Sequence, residues 1–497
     1  MGTKALFIGF DGQNASLIDQ QIREGTCPRL AGLAQRLARA PVGNNPGVGD
    51  GSWWASVATG DDPSEHGHTF IIQFDPKTYK HYWHDEAKHC DSRSFWEELD
   101  AEGRRALVVD WTHGTFRPLQ GGIVIDNWLQ HDPPHEARSY PEHVIRDVIA
   151  RYGDDMLRPG LHAISLDTPE SVREVVEAIR TKIAAKARFC VDQIKSGDWD
   201  IVAPSFTEMH DIGHYAMHLH DAAHPKYDKA LAEAVGDPLR QVGVAVDRAI
   251  GDLIDAAGPD CEVMMLVGLG LFPLVTLNPA LNEICERLDL GMGAREKPVA
   301  KARAAYRARV PLSIRAALSP LKRFILGEPE NPELARRRFF PVEHVDNGAA
   351  IRINLKGRER NGVIAPGEDY RRLVDEIARD FMEIRDDETG EPVVEEIVRT
   401  QEVYRGSKTA ALPDLFVMWR REHPYARIAS PKIGVVEVPD RIARTGDHVM
   451  TGELWAEPQR LAGARENGAM MPQDVTGYIL AAARSKTAAG RAIPIPG

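Results

Sequence analysis

The densest chemistry in the sequence lies in Thr207-Glu-Met-His-Asp-Ile-Gly-His214. His210 and His214 are four residues apart, a spacing that places two imidazoles on one face of a helix, as metal chelation requires. Glu208 and Asp211 put carboxylates close by in the chain, and His218, His220 and His224 follow at a greater remove. Asp11 closes the first apolar run, Ala5 to Phe10, and precedes Gly12. A carboxylate at the C-terminal end of a central strand is where α/β folds bind ligands. Late in the chain, Ala443-Arg-Thr-Gly-Asp-His448 ends a turn on His448. Each of the three has a plainer alternative when taken alone: a helix-capping Asp, an imidazole-rich surface helix, a loop histidine.

The elements that must position these residues follow from the hydrophobic pattern. Short apolar runs alternate with longer amphipathic stretches, the signature of a parallel sheet flanked by helices. Strands are expected at 5–10, 106–111, 122–128, 200–206, 263–267, 350–355 and 415–419. Helices are expected at 169–194 and 238–257, with another from about Ser16. Cys27-Pro28 restarts a further helix toward Ala40. Residues 1–290 read as the first part of an α/β core, 291–340 as an Arg- and Lys-rich helical insertion or cap, and 341–490 as the remainder of the core. Trp53, Trp54, Trp111, His113, Trp128, His131 and Asp132 fall near strand ends, where they line a pocket or pack the core.

Composition narrows the function classes. Hydrophobic residues make up 43% and charged residues 27% of 497, the balance of a globular protein. A net charge of −12 argues against nucleic acid or an anionic membrane as partner, while a small anionic substrate stays compatible if a metal supplies local positive charge. The five cysteines are scattered and form no C-x-x-C pair, so neither a disulfide framework nor a zinc knuckle is expected. The first apolar run is too short for a signal peptide or membrane span, and a cytoplasmic location is expected. Oligomeric state is left open.

Taken together, the motifs resemble the alkaline phosphatase superfamily, especially its type I phosphodiesterase and phosphohydrolase/phosphomutase members. Phe10-Asp-Gly12 is similar to the opening metal aspartate. Trp53-Trp-Ala-Ser-Val-Ala-Thr-Gly60 with Asp62-Pro-Ser-Glu-His-Gly67 resembles the stretch behind the nucleophile. Phe339-Phe-Pro-Val, Ala350 to Glu359, Pro413-Asp-Leu and Thr445-Gly-Asp-His448 resemble later signatures, in the right order. The resemblance implies a three-layer α/β sandwich with a mostly parallel central sheet and a helical insertion.

It also implies a site with two divalent metals flanking a nucleophile. For one metal, His214 and His448 match the family's positions, with His210 where an Asp is usual and Glu208 or Asp211 available to add a carboxylate. For the other, Asp11 is present, but Gly268-Leu-Gly-Leu271 stands where the family has Ser-Asp-His-Gly. The nucleophile position falls on Asp50, or on Ser52 if the loop shifts by two. One divalent ion (zinc, manganese or iron) is therefore expected; a second is left with Asp11 and Asp50, a poor zinc site whose carboxylates suit Mg²⁺ or Mn²⁺ better. Three readings stay open: a metal-dependent hydrolase or transferase of a phosphoester or related ester, a mononuclear centre with iron or manganese chemistry, and a non-catalytic protein that kept the fold.

Overall fold

The computed structural model describes residues 2–130, 135–158, 160–291, 334–440, 443–462 and 469–485. The chain divides into two contact-dense units, one drawn from 1–69, 85–274 and 442–497, the other from 70–84 and 275–441.

The first unit is built on eight strands: β1 (Ala5–Asp11), β2 (Ala38–Val42), β3 (Ala106–Val109), β4 (Ile123–Asp126), β5 (Arg138–Tyr140), β6 (Ile201–Phe206), β7 (Glu262–Gly268) and, after a two-stranded β8 (Leu271–Pro273) and β9 (Gly446–His448), β10 (Gly452–Ala456). Their spatial order is β2-β10-β7-β1-β6-β3-β4-β5. The middle five are parallel, and antiparallel partners close both sides. Side-chain alternation along β1 sends Leu6, Ile8 and Phe10 into one core and Ala5 and Phe7 into the other. Helices cover both faces, so β1, buried along its whole length, reads as an unbroken apolar run.

One face carries α1 (Ala15–Arg23) and α2 (Pro28–Arg36); the opposite face carries α3 (Asp50–Thr59). On the α1 side also lie α4 (Pro169–Ser196), α5 (Glu208–His220) and α6 (Pro238–Ala257). The expected α/β sandwich is thus present. The helix restarted at Pro28 stops at Arg36, short of Ala40. Residues 38–42 instead pair with β10 as an edge strand, and the Arg39 guanidinium sits 3.8 Å over the Trp455 ring.

Two expected strands do not join the main sheet. Gly348–Ile353 and Leu415–Trp419 pair antiparallel with each other in the second unit, flanked by Phe339–Val342 and Val394–Arg399. The segment Ala350 to Glu359 turns out to be structural in content. Buried Arg352 holds Glu359 at 2.7 Å and the carbonyls of 410–412, while Asp414 accepts from the two Arg358 Nη atoms and the Tyr370 hydroxyl. Of the insertion expected at 291–340, residues 292–333 lie outside the described residues.

Candidate metal centre

Three strand ends and one helix converge in the first unit. β1 delivers Asp11, β6 runs into α5 with His210 and His214, and β7 turns through Leu269 to face His448 on β9. Gly12, at φ 72°, lets β1 end against the first turn of α5: a Cβ there would lie 2.3 Å from the His210 backbone nitrogen.

His210, His214 and His448 are 4%, 1% and 2% exposed, and one ring nitrogen of each lies within 4.8 Å of the other two. The far side of each ring is anchored. His210 Nδ1 donates to Asp11 Oδ2 (2.9 Å), His214 Nδ1 to the Gly446 carbonyl (2.7 Å), and His448 Nδ1 to the Leu269 carbonyl (2.7 Å). Carbonyl and carboxylate oxygens only accept, so each Nδ1 carries the hydrogen, and Nε2 is the nitrogen each ring has left to offer a ligand. Leu269 makes its contribution through the main chain, with φ at 47°, a conformation that costs a branched side chain energy and recurs at functional sites.

The donor set fits a cation. The Nε2 atoms of His210 and His214 are 3.1 Å apart. Two lone pairs at that distance repel unless something positive lies between them. Burial holds the His214 imidazole well below the ordinary histidine range, with Arg444 and the neighbouring rings pushing the same way, so this ring meets a cation as a neutral donor. Tetrahedral coordination by imidazoles puts ligand nitrogens about 3.3 Å apart, close to the observed separation.

The other expected site residues are distributed around this triad. Asp11 sits behind His210, its second oxygen accepting the Trp54 indole N–H at 2.8 Å. Asp50 is the first residue of α3, and its Oδ2 lies 3.8 Å from His448 Nε2. Ser52, in the same helical turn, is wholly buried and its Oγ has no hydrogen-bond partner among the described residues.

Glu208 and Asp211 are not brought to the triad. Glu208 pairs with Lys186 (3.1 Å), which also meets Asp110 (3.2 Å) and donates to the Ser205 carbonyl (2.7 Å). Asp211 pairs with Lys182 (3.3 Å), which also reaches Asp155 (3.4 Å). Burial alone would pull both lysines toward neutrality, but the surrounding carboxylates outweigh it and hold both above the usual lysine range. His218 and His224 pack around Thr445 just before β9, and His220 Nδ1 donates to Asp237 at 2.8 Å.

Trp53, Trp54, Trp111 and Trp128 are core residues, and His131 and Asp132 lie outside the described residues. The anchoring carbonyls of Gly446 and Leu269 carry no signal in a sequence. His68 had one in Pro63-Ser-Glu-His-Gly-His68. It packs against His113, ring centroids 4.6 Å apart, beside Gly51 at the start of α3.

A family model described as type I phosphodiesterase / nucleotide pyrophosphatase matches residues 5–268, more than half of the chain. Phosphonoacetate hydrolase from Sinorhizobium meliloti 1021, solved in complex with phosphonoacetate, superposes at a TM-score of 0.54 with 12% identity, over 97% of this chain and 96% of that one. Its complex with phosphonoformate gives 0.52 at the same identity and coverage. Murine ectonucleotide pyrophosphatase / phosphodiesterase 5 gives 0.47 at 11% identity, over 100% and 97%. No curated protein matches. At 12% identity the hydrolase likeness is one of fold, the alkaline-phosphatase-like α/β sandwich. No helix among the described residues is long and apolar enough to cross a membrane.

Proposed function

The chain belongs to the type I phosphodiesterase / nucleotide pyrophosphatase family, and from that premise we propose that it is a mononuclear metal-dependent hydrolase or transferase. Its substrate is a small anionic phosphoester or related ester. The observation that carries this reading is the triad His210, His214 and His448, with every Nδ1 anchored and the remaining nitrogens gathered within 4.8 Å. A single centre is supported by what surrounds Asp11: one oxygen holds His210, the other holds Trp54, and β7 ends on glycine where a second ion would need carboxylate and imidazole ligands.

His210, His214 and His448 would hold a divalent ion, which when bound would supply Lewis acidity to the ester and to a nearby water. The chain's own groups do the rest. Three neutral ligands leave the ion's charge available to an anionic substrate. Asp50, 3.8 Å from His448 Nε2, would take a proton from the attacking hydroxyl or attack directly; Ser52 is the alternative nucleophile. The first turn of α3, which begins at Asp50, offers backbone N–H groups to the developing negative charge.

Elemental mass spectrometry on protein purified without chelator should give about one equivalent of divalent metal, lost in His214→Ala. Turnover of aryl phosphodiesters should be lost in the same variant. Iron-dependent oxygen uptake without ester turnover would replace this reading with the redox one, and two bound equivalents would overturn the mononuclear site.

A further inference from the structure

Asp11 has both carboxylate oxygens engaged, 2.8 Å from the Trp54 indole nitrogen on one side and 2.9 Å from His210 Nδ1 on the other. The indole is not free to swing away. Trp54 is wholly buried, packed edge-on against Trp53 (centroids 5.0 Å, 81°) and Trp111 (5.3 Å, 86°). Trp53 is fixed in turn by its own N–H on the Gly43 carbonyl at 2.7 Å. The two rings also fill the space at the end of β7. A Cβ on Gly268 would meet Trp53 at 2.8 and 2.9 Å and Trp54 at 3.2 Å, so the indoles occupy the volume a ligating side chain at 268 would need.

Resting on the mononuclear reading, we propose that Trp54 is a positioning residue of the metal centre. By claiming one oxygen of Asp11, its indole N–H keeps that carboxylate out of the coordination sphere and commits the other oxygen to His210. Packing alone does not require this. Phenylalanine fills most of the same space between Trp53 and Trp111, whereas only the indole adds a donor aimed at a buried carboxylate. The consequence is a centre of three neutral imidazoles backed by an outer carboxylate, in place of a carboxylate-ligated one. An outer carboxylate fixes the ring orientation and raises the basicity of the imidazole it touches.

The test uses full-length protein loaded with Co²⁺, whose visible absorption reports its ligand set, and a competing chelator to measure affinity. Trp54→Phe removes the donor and keeps an aromatic ring. Asp11 Oδ1 is then released toward the ion, and binding should tighten about tenfold or more with bands shifted to those of a mixed nitrogen–oxygen set. Asp11→Asn preserves the volume and removes the outer charge. Binding should weaken about 10–100-fold while the bands keep their nitrogen-ligand character.

Trp54→Phe with a lowered melting temperature but unchanged affinity and spectrum would reduce Trp54 to a core residue and overturn the inference. If Trp54→Phe fails to fold, Asp11→Asn decides: a change of band type there would show that Asp11 is itself a ligand. Failure of wild type to bind Co²⁺ would instead sink the metal-centre reading on which the inference rests.

Discussion

Lys186 has no exposed surface and sits between Asp110 and Glu208, so deleting its ammonium strands two buried carboxylates. Lys186→Met should cost about 3–5 kcal/mol in urea unfolding, because an uncompensated buried charge is worse than none. The double variant Lys186→Met/Glu208→Gln should recover part of that loss. Glu208→Gln alone should retain one equivalent of metal, which separates its role from that of its helix neighbours. The histidine pair was legible from spacing alone, and the separation of the carboxylates follows from the same helix. Positions 208 and 211 lie about 200° and 100° around the axis from His210, whereas His214 returns to its face. Asp11 was legible as a carboxylate closing the first strand, but the partners of its oxygens were not. Which atom its second oxygen meets depends on Trp54, 43 residues away in sequence, whose side-chain direction no local pattern encodes.

The ends of α5 and α6 are joined by one charge-assisted bond, from His220 Nδ1 to Asp237, the residue that caps α6. The hydrogen bond to Asp237 raises the His220 pKa, and Asp237 is lowered because His220 and Arg240 outweigh its burial. A raised histidine contributes its full stabilisation below its unfolded pKa of about 6.5 and loses it as pH rises through the folded value. A depressed carboxylate contributes above about 3.9 and loses it as pH falls through its folded value. Between those limits the pair is at full strength. His220→Ala should therefore cost about 1.5–3 kcal/mol at pH 5.5 and clearly less at pH 8.5, measured by urea unfolding at both. An equal loss at both values would mean the pair does not titrate in this window. Helix α6 was readable to the residue from Pro238 to its last alanine, since Asp-Pro opens it and Gly258 follows it. The end of α2 was not: Ala38 to Val42 has no helix breaker before Pro41, and its strand conformation is imposed by pairing with β10.

At the level of the whole molecule, a continuous apolar run is compatible with a parallel strand buried on both faces or an antiparallel strand in a separate core. Local residues cannot distinguish them. That is why 348–353 and 415–419, largely apolar and buried like the central strands of the first unit, were expected in the same sheet but assemble a different one. The second unit has its own polar keystone. Asp414 accepts from Arg358, Tyr370 and the Ile353 amide, and the guanidinium outweighs burial to hold its carboxyl below the usual range. Asp414→Asn should cost about 3–5 kcal/mol. Hydrogen exchange should then accelerate in 348–353 and 415–419 while 262–268 stays protected, since the two units have separate cores. Acceleration in both units together would show that they unfold as one.

Two of the three groups that orient the imidazoles are peptide carbonyls, those of Gly446 and Leu269. No codon change can delete a carbonyl oxygen; it can only displace the chain that carries it. Deep mutational scanning of this protein should therefore single out Asp11 among the three and pass over Leu269 in substitutions that keep its backbone turn. A β-branched residue at 269, forced into the same φ of 47°, is where the hidden anchor should show itself.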